Sequence, residues 1–276
     1  MNAIKCNLCP HNCLLREGQI GLCHARMNKE GNIFAENYGR VTSVALDPIE
    51  KKPLYHFYPA SKILSVGSYG CNLSCPFCQN HRISTADSKS AAYTELAPQQ
   101  LVQTATEYVA KGNIGLAFTY NEPLVGYEYV LHCAKLAKEA NLKIAMVTNG
   151  CFYTERLEEL WSVVDAFNID LKGFTPAFYE KVGGDLEVVK QFIMRAAADS
   201  HVEVTTLIIP GQNDSVEEMR QLSTWLASVN QKIPLHISRF FPRYKMADKN
   251  PTDVEKIIEL QQIAQEKLEF VYRGNC

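Results

Sequence analysis

The chain has 276 residues, with 28 Lys and Arg against 30 Asp and Glu, a formal net charge of −2. No excess of basic residues is present to displace counterions from phosphates, so bulk electrostatic binding of nucleic acid is not expected. A hydrophobic content of 46% excludes a disordered chain, and a chain of this length buries a substantial core without cross-links. Its ten cysteines therefore need another explanation.

No apolar run approaches the roughly 20 residues that span a bilayer. The first residues, Met1 to Cys6, lack the basic-then-apolar plan of a signal peptide. These features predict a cytoplasmic protein that does not enter a membrane. In a reducing compartment, clustered cysteines more often bind metal or carry redox chemistry than form structural disulfides.

Two regions differ in composition along the chain. Residues 1–60 are dense in Cys, Gly, Pro and polar residues, which predicts a small cysteine-rich, metal-binding module. Residues 61–276 alternate β-rich runs with helical patterns and form the predicted core domain. The predicted strands lie near residues 63–66, 114–118, 144–147, 167–171, 204–209 and 235–237. Ser215 and Thr252 are each followed three residues later by Glu, the pattern of a capping box at a helix start.

Six strand-helix units in sequence predict an α/β fold with a parallel sheet, because parallel neighbours need long crossover connections. The sheet is either flat and doubly wound or curved into an open, partial (β/α)6 barrel, since six units are too few to close the usual eight-stranded barrel. In both arrangements ligands bind at the carboxyl ends of the strands. The motifs described next fall at those ends.

The central cysteine cluster follows the first predicted strand. Cys71, Cys75 and Cys78 have the spacing C-x3-C-x2-C. Three thiolates can hold three irons of a 4Fe-4S cluster and leave the fourth iron open, and an open metal position is typical of catalytic sites. A zinc site completed from elsewhere in the chain and unliganded thiols are the alternatives.

This spacing, with Phe77 before the last cysteine, resembles the signature of the radical S-adenosylmethionine (SAM) superfamily. The run from Thr119 to Pro123 resembles the superfamily's Gly-Gly-Glu-Pro element, with Tyr120 and Asn121 in place of the glycines. Other strand ends carry similar matches. The resemblance implies catalysis at Cys71, Cys75 and Cys78, and SAM binding by Phe77, Asn121, Glu122, Asn149, Asp170, Lys172 and Ile208. Arg239, which ends the sixth strand, is a further candidate, with a solvated arginine as the alternative.

A narrower resemblance covers nearly the whole chain. The chain is similar to the AmmeMemoRadiSam system radical SAM enzymes, which are relatives of pyruvate formate-lyase activating enzymes. The residues that carry this resemblance are 6–13, 21–23, 47–59, 236–246 and 272–275. Val147 stands where the activating enzymes often have an acidic residue.

The resemblance implies a radical SAM oxidoreductase. Its open iron would chelate SAM, and one electron from the cluster would cleave SAM to a 5'-deoxyadenosyl radical that abstracts hydrogen from a substrate. A loop of another protein, as in glycyl-radical-enzyme activation, is one possible substrate; a peptide, nucleic acid or small molecule is the alternative. A one-electron reductant such as flavodoxin or ferredoxin and a Memo-type protein are the implied partners.

A second cysteine set lies near the amino terminus. Cys6, Cys9, Cys13 and Cys23 supply four thiolates, which fit either zinc or a second iron-sulfur cluster. His11 or His24 could replace one cysteine in a zinc site. Unliganded thiols are the third alternative.

Two readings from other functional classes compete with the enzyme. One is an iron-sulfur electron-transfer protein that does not cleave SAM, and the other is a zinc-knuckle module that recruits partners. The set Glu122, Asn149 and Lys172 at the strand ends favours the enzyme, because electron transfer requires none of these residues. Cys151 follows the third strand, where a small buried residue is more common than a substrate-facing thiol.

Overall fold

The computed structural model describes residues 3–276. The strands in this part of the chain are β1 (Ile4–Lys5), β2 (Leu14–Leu15), β3 (Arg26–Lys29), β4 (Asn32–Ala35), β5 (Arg40–Val41), β6 (Ser43–Pro48), β7 (Lys62–Gly67), β8 (Thr94–Glu95), β9 (Asn113–Phe118), β10 (Lys143–Thr148), β11 (Ala166–Asp170), β12 (His201–Ile208), β13 (Leu235–Arg239) and β14 (Val271–Gly274). The α-helices are α1 (His81–Ser84), α2 (Pro98–Glu107), α3 (Tyr127–Glu139), α4 (Pro176–Val182), α5 (Leu186–Asp199), α6 (Val216–Asn230) and α7 (Val254–Gln265).

One large sheet organises the molecule, with strand order β14-β13-β12-β11-β10-β9-β7-β6. In this sheet β7 and the strands β9 to β14 run parallel, and β6 pairs antiparallel with β7 at the edge. The sheet is open, because its edge strands β6 and β14 do not pair with each other. All six predicted strands are present, and the predicted open α/β fold is confirmed. The strands β6 and β14 extend the sheet beyond the six predicted strands.

The two predicted helix starts differ in outcome. The Ser215 hydroxyl accepts a hydrogen bond of 3.1 Å from the Glu218 amide and caps α6. At α7 the cap is Asp253, so the prediction for Thr252 is wrong. Thr252 is buried, and its hydroxyl donates to the Ile208 carbonyl at 2.6 Å. Among residues 3–276, no helix is long and apolar enough to cross a bilayer.

The two faces of the sheet are covered differently. The outer face packs against helices, as shown by the rings of Trp161, Phe167 and Phe192, which contact one another at right angles or tilted. The inner face carries the small residues Ala117, Ala145 and Ala166, which form a separate apolar cluster.

These alanines leave room for the segment between β6 and β7, residues 49–61, which we call the inner segment. Leu54 and Phe57 of the inner segment pack against the alanines. The Asn168 side chain donates to the Pro53 carbonyl at 2.9 Å. The inner segment therefore covers part of the inner face, and its side chains contribute to the packing of the core domain.

The amino-terminal region forms small antiparallel sheets. The strand β1 pairs with β2, β3 pairs with β4, and β5 pairs with β8. The strand β6, which also precedes residue 60, belongs to the large sheet. A division of the chain at residue 60 remains a prediction.

Candidate active site at the carboxyl ends of the strands

The central cysteines lie on the loop that follows β7. Cys71, Cys75 and Cys78 are partly exposed free thiols. Burial raises the pKa of Cys75 to about 11, although the nearby Lys172 ammonium acts to lower it. Burial also raises the pKa of Cys71, and neighbouring Glu122 and Cys75 raise it further. The three thiols are thus close enough to influence one another's charge.

Asn121 braces this loop from behind. Its side-chain oxygen accepts a hydrogen bond of 2.9 Å from the Ser68 amide. Its side-chain nitrogen donates at 3.1 Å to the carbonyl oxygens of both Tyr69 and Gly70. The sequence predicts Asn121 as a cofactor-binding residue, and the structure places its side chain in the support of the cysteine loop.

Tyr120 has a φ of +74°, in the left-handed region that favours glycine. This conformation accounts for the preference for glycine at this point of the family element. The tyrosine side chain crosses Gly67, where an added Cβ would lie 2.8 Å from the tyrosine ring. Its hydroxyl donates to the Asp47 carboxylate at 2.8 Å.

A buried ion pair lies beside this tyrosine. The Lys52 ammonium donates to the Asp47 carboxylate at 2.9 Å and stands 4.6 Å from the centre of the Tyr120 ring. Burial acts to raise the pKa of Asp47, but hydrogen bonds from Lys52 and Tyr120 hold it at about 2. No pattern in the sequence predicts this cluster, because an Asp and a Lys five residues apart outside a helix give no signal of burial.

Glu122 joins the ends of β9 and β10. Its carboxylate accepts hydrogen bonds from the Thr148 hydroxyl at 2.7 Å, the Asn149 amide at 2.8 Å and the Leu124 amide at 3.0 Å. Burial raises the pKa of Glu122 to about 7 in spite of these bonds. A carboxylate has about four acceptor positions, so one remains for a ligand.

Asn149 connects the end of β10 to the cysteine loop. Its side-chain nitrogen donates to the Asn72 side-chain oxygen at 2.8 Å and lies 3.7 Å from the Cys71 sulfur. Asn72 in turn donates to the Cys151 carbonyl at 2.9 Å. Cys151 itself is 1% exposed, as expected of a small buried residue at a turn. The role of Asn72 was not predicted, and its position between two of the clustered cysteines was the available signal.

Asp170 ends β11 and Lys172 follows it, with a separation of 2.7 Å between ammonium and carboxylate. Burial acts to lower the pKa of Lys172, but the charges of Asp170 and Cys75 hold it above its usual range. The Lys172 carbonyl accepts a hydrogen bond of 2.8 Å from the side chain of Asn213. This arrangement holds a cation beside the cysteine loop.

The remaining predicted residues lie farther into the structure. The side chains of Phe77 and Ile208 are buried in the apolar core. The Arg239 side chain donates to the Thr252 carbonyl at 2.7 Å and its guanidinium lies 4.8 Å from the centre of the Phe241 ring. The Arg239 guanidinium, at the end of β13, is therefore held by the Thr252 carbonyl and the Phe241 ring.

The segment after β13 also reaches the cysteine loop. The Lys245 amide donates to the Pro76 carbonyl at 3.0 Å. The Tyr244 ring stacks on His81 with 4.4 Å between ring centres. The family-like run at residues 236–246 therefore closes over one side of this loop.

The four amino-terminal cysteines also come together. Cys6, Cys9, Cys13 and Cys23 line one pocket, together with His11. The His11 ring lies within hydrogen-bond distance of the Asn72 carbonyl, at 2.6 Å. His24, the other predicted substitute ligand, is exposed and does not line this pocket. Burial raises the pKa of Cys9 to about 12.

The donor set at the cysteine loop fits a 4Fe-4S cluster. Within residues 3–276, no three His, Cys, Asp or Glu side chains converge on one point as ligands of a single metal ion would. In a cubane each thiolate binds a different iron, so the three sulfurs surround the cluster and need not meet at one point. The three thiols lie on one loop after β7, at the carboxyl edge of the sheet, and are partly open to solvent.

Known proteins that resemble this chain support the cluster site described above. Residues 65–223 match the model of the Radical SAM superfamily. The chain belongs to the radical SAM superfamily. Membership implies an enzyme that uses a 4Fe-4S cluster and SAM, so the predicted superfamily and enzyme class are confirmed.

Two relatives and one solved structure illustrate this relationship. The uncharacterized protein MJ0808 of Methanocaldococcus jannaschii is 39% identical, over 99% of this chain and 82% of its own length. The pyruvate formate-lyase-activating enzyme of Clostridium pasteurianum is 26% identical, over 72% of this chain and 89% of its own length. The crystal structure of Streptococcus suis SuiB bound to SAM has a TM-score of 0.60 and 12% identity, covering 75% of this chain and 48% of SuiB. The likeness to SuiB shows the shared fold.

Proposed function

We propose that this radical SAM enzyme cleaves SAM reductively at a cluster held by Cys71, Cys75 and Cys78. The observation that carries the proposal is the position of these thiols at the same sheet edge as Glu122, Asn149 and Lys172. When bound, the cluster supplies the electron that cleaves the sulfonium, and the resulting 5'-deoxyadenosyl radical abstracts hydrogen from a substrate.

The chain's own residues bind and orient SAM in this proposal. The partly buried Lys172 ammonium would pair with the SAM carboxylate, because it is a cation close to Cys75. The remaining acceptor position of Glu122 would accept a hydrogen bond from the SAM amine. Asn149 acts on the same site through its bonds to Glu122 and Asn72, and Asn121 holds the loop in place.

We further propose a protein substrate of the glycyl-radical-enzyme type. The supporting observations are the likeness to the Clostridium pasteurianum activating enzyme over most of both chains and an open sheet whose edges β6 and β14 leave a lateral side for a protein loop. From its resemblance to AmmeMemoRadiSam system enzymes, we propose a Memo-type partner and a flavodoxin or ferredoxin as reductant. The ten unpaired cysteines support a reducing, cytoplasmic location.

The reaction is tested with protein purified without oxygen and reconstituted with iron and sulfide. SAM and dithionite are added, and 5'-deoxyadenosine is quantified. We expect product from wild type, none from Cys75→Ala, and an unchanged amount from Cys133→Ala. Cys133 is a matched control, because it is a buried thiol on α3 that belongs to neither of the two cysteine sets. A reducible cluster without any SAM cleavage product would contradict the proposal.

The substrate class is tested separately. A candidate glycyl-radical partner encoded beside this gene is incubated with the reduced enzyme and SAM, and a glycyl radical is sought by electron paramagnetic resonance (EPR). A radical on the partner supports activation. If an added small molecule accelerates the cleavage of SAM and no radical forms on any protein partner, the small-molecule alternative is favoured.

A further inference from the structure

We propose that Cys6, Cys9, Cys13 and Cys23 bind a second 4Fe-4S cluster that passes electrons to the cluster at Cys71, Cys75 and Cys78. The inference rests on the proposed function, because the electron acceptor is the cluster that this function places at the central cysteines. The four amino-terminal cysteines are called the quartet below.

The quartet has the donor set of a complete site. Its four thiols line one pocket, and Cys6, Cys9 and Cys23 are buried while Cys13 is partly exposed. Four thiolates saturate the four irons of a cubane and leave none open to SAM. A saturated cluster of this kind can transfer electrons or stabilise the fold, and it cannot repeat the chemistry of the central loop.

The position of the quartet, rather than its donor set, favours a cluster over zinc. Four thiolates fit either group. Zinc has no redox chemistry, whereas a second cluster beside the central loop can exchange an electron with the central cluster. The contact between the two loops is therefore the observation that carries the choice.

The quartet lies directly against the central cysteine loop. The Cys71 amide donates a hydrogen bond of 3.1 Å to the Cys23 carbonyl. Asn72, the residue after Cys71, also lines the quartet's pocket. Gly70 has a φ of +91°, and an added Cβ there would lie 2.5 Å from the Cys23 carbonyl oxygen. The two loops thus meet backbone to backbone at one ligand of each site.

Both sites also have the same local support of a thiolate ligand. The Arg26 amide donates to the Cys23 sulfur at 3.4 Å, and the Leu73 amide donates to the Cys71 sulfur at the same distance. Amide hydrogen bonds to cysteine sulfur are one of the factors that set cluster potentials. Cys23 and Cys71 thus share this support and are also joined by the backbone hydrogen bond between the two loops.

The redox step involves one electron and no proton. A one-electron donor protein reduces the quartet's cluster from the 2+ to the 1+ state, and the donor is oxidised by one electron. The quartet's cluster then returns to 2+ as it reduces the central cluster from 2+ to 1+. The partial exposure of Cys13 provides the side from which the donor approaches.

The metal content is measured on protein purified without oxygen and without reconstitution, from cells supplied with iron and zinc. We expect about eight irons and eight sulfides per wild-type chain, and about four of each in a Cys71→Ala, Cys75→Ala, Cys78→Ala triple variant. A Cys9→Ser, Cys23→Ser double variant should also keep about four irons, and Cys133→Ser should match wild type. One zinc per chain, or four irons in wild type, would overturn the proposal.

The reciprocal variants also distinguish the two clusters by EPR. In the dithionite-reduced triple variant the signal should not change when SAM is added, because every iron has a cysteine ligand. The signal of the double variant should change. If the double variant does not fold, the triple variant still decides whether the quartet holds a reducible cluster. Two clusters in a wild type that makes no 5'-deoxyadenosine would leave this inference intact and contradict the proposed function.

The transfer of electrons is tested with reduced flavodoxin as the probe donor. In rapid-freeze EPR of wild type, the quartet's signal should appear before the SAM-responsive signal. In the double variant the SAM-responsive signal should form at least about tenfold more slowly. Equal rates in the two proteins would show that the quartet is not on the electron path.

Discussion

The backbone amide of Cys71 donates a hydrogen bond of 3.1 Å to the carbonyl oxygen of Cys23. This bond links a ligand of the central cysteine loop to the amino-terminal quartet. The neighbouring Gly70 makes it possible, because any side chain there would meet the Cys23 carbonyl. The contact can be tested through the glycine.

We predict that Gly70→Ala destabilises the protein far more than Gly112→Ala. The two glycines have nearly the same φ, +91° and +88°, but an added Cβ at Gly112 meets no atom within 4 Å. Gly112→Ala should cost about 1 kcal/mol of backbone strain, and Gly70→Ala about 2 kcal/mol more because the two loops must separate. Urea unfolding of both variants measures the difference. Equal costs would mean that the loops do not approach closely.

Asn121→Ala should weaken retention of iron by the central loop. The substitution removes the bonds to the Ser68 amide and to the Tyr69 and Gly70 carbonyls, a loss of about 2 kcal/mol. The rate of iron transfer to a chelator, measured without oxygen, should rise several-fold. Asn250→Ala is the control, since Asn250 is exposed. An unchanged rate in Asn121→Ala would remove Asn121 from the support of the loop.

Lys172→Met should lower the affinity for SAM by roughly tenfold or more, the cost of losing one charged hydrogen bond. Lys181→Met, at an exposed lysine on α4, should bind SAM as wild type does. Equilibrium dialysis with the reconstituted proteins measures both. Full SAM affinity in Lys172→Met would mean that the Lys172 ammonium pairs with Asp170 and does not bind SAM.

Glu203 should contribute stability that depends on pH. It is fully buried and accepts hydrogen bonds from the rings of His201 at 2.9 Å and His236 at 2.6 Å, and from the His56 amide at 2.7 Å. Burial acts to raise the pKa of Glu203, but these bonds lower it from 4.5 to about 2. Because the pKa of Glu203 is lower in the folded chain than in the unfolded chain, its carboxylate stabilises the fold at pH values above the ordinary pKa of a glutamate. This contribution is lost as the pH falls towards 2.

Glu203→Gln should therefore cost about 3 kcal/mol at pH 7, and the difference from wild type should shrink as the pH falls below 4.5. Denaturant unfolding of the metal-free chains between pH 7 and pH 3 measures this. Glu269→Gln, at an exposed glutamate, should show no such change. A difference that stays constant with pH would mean that the Glu203 charge does not stabilise the fold.

Features that depend on residues close together in the chain can be predicted from the sequence. The spacing of Cys71, Cys75 and Cys78 places three ligands on one loop, whatever the rest of the chain does. The alternation of strands with helical crossover segments predicts a parallel sheet, and parallel strands bring their carboxyl ends to one edge. Glu122, Asn149 and Lys172 could therefore be assigned to one site from their order along the chain.

Contacts between distant segments become visible in the folded chain alone. Local patterning does not reveal which loop Cys23 contacts, that Glu203 accepts hydrogen bonds from His236 and the inner segment, or that Thr252 bonds Ile208 while Asp253 caps the helix. These contacts depend on how the sheet's register and the packing on its inner face bring the segments together. The bonds of Asn121 and Asn72 behind the cysteine loop have the same origin, because buried polar groups must find partners wherever the fold places them.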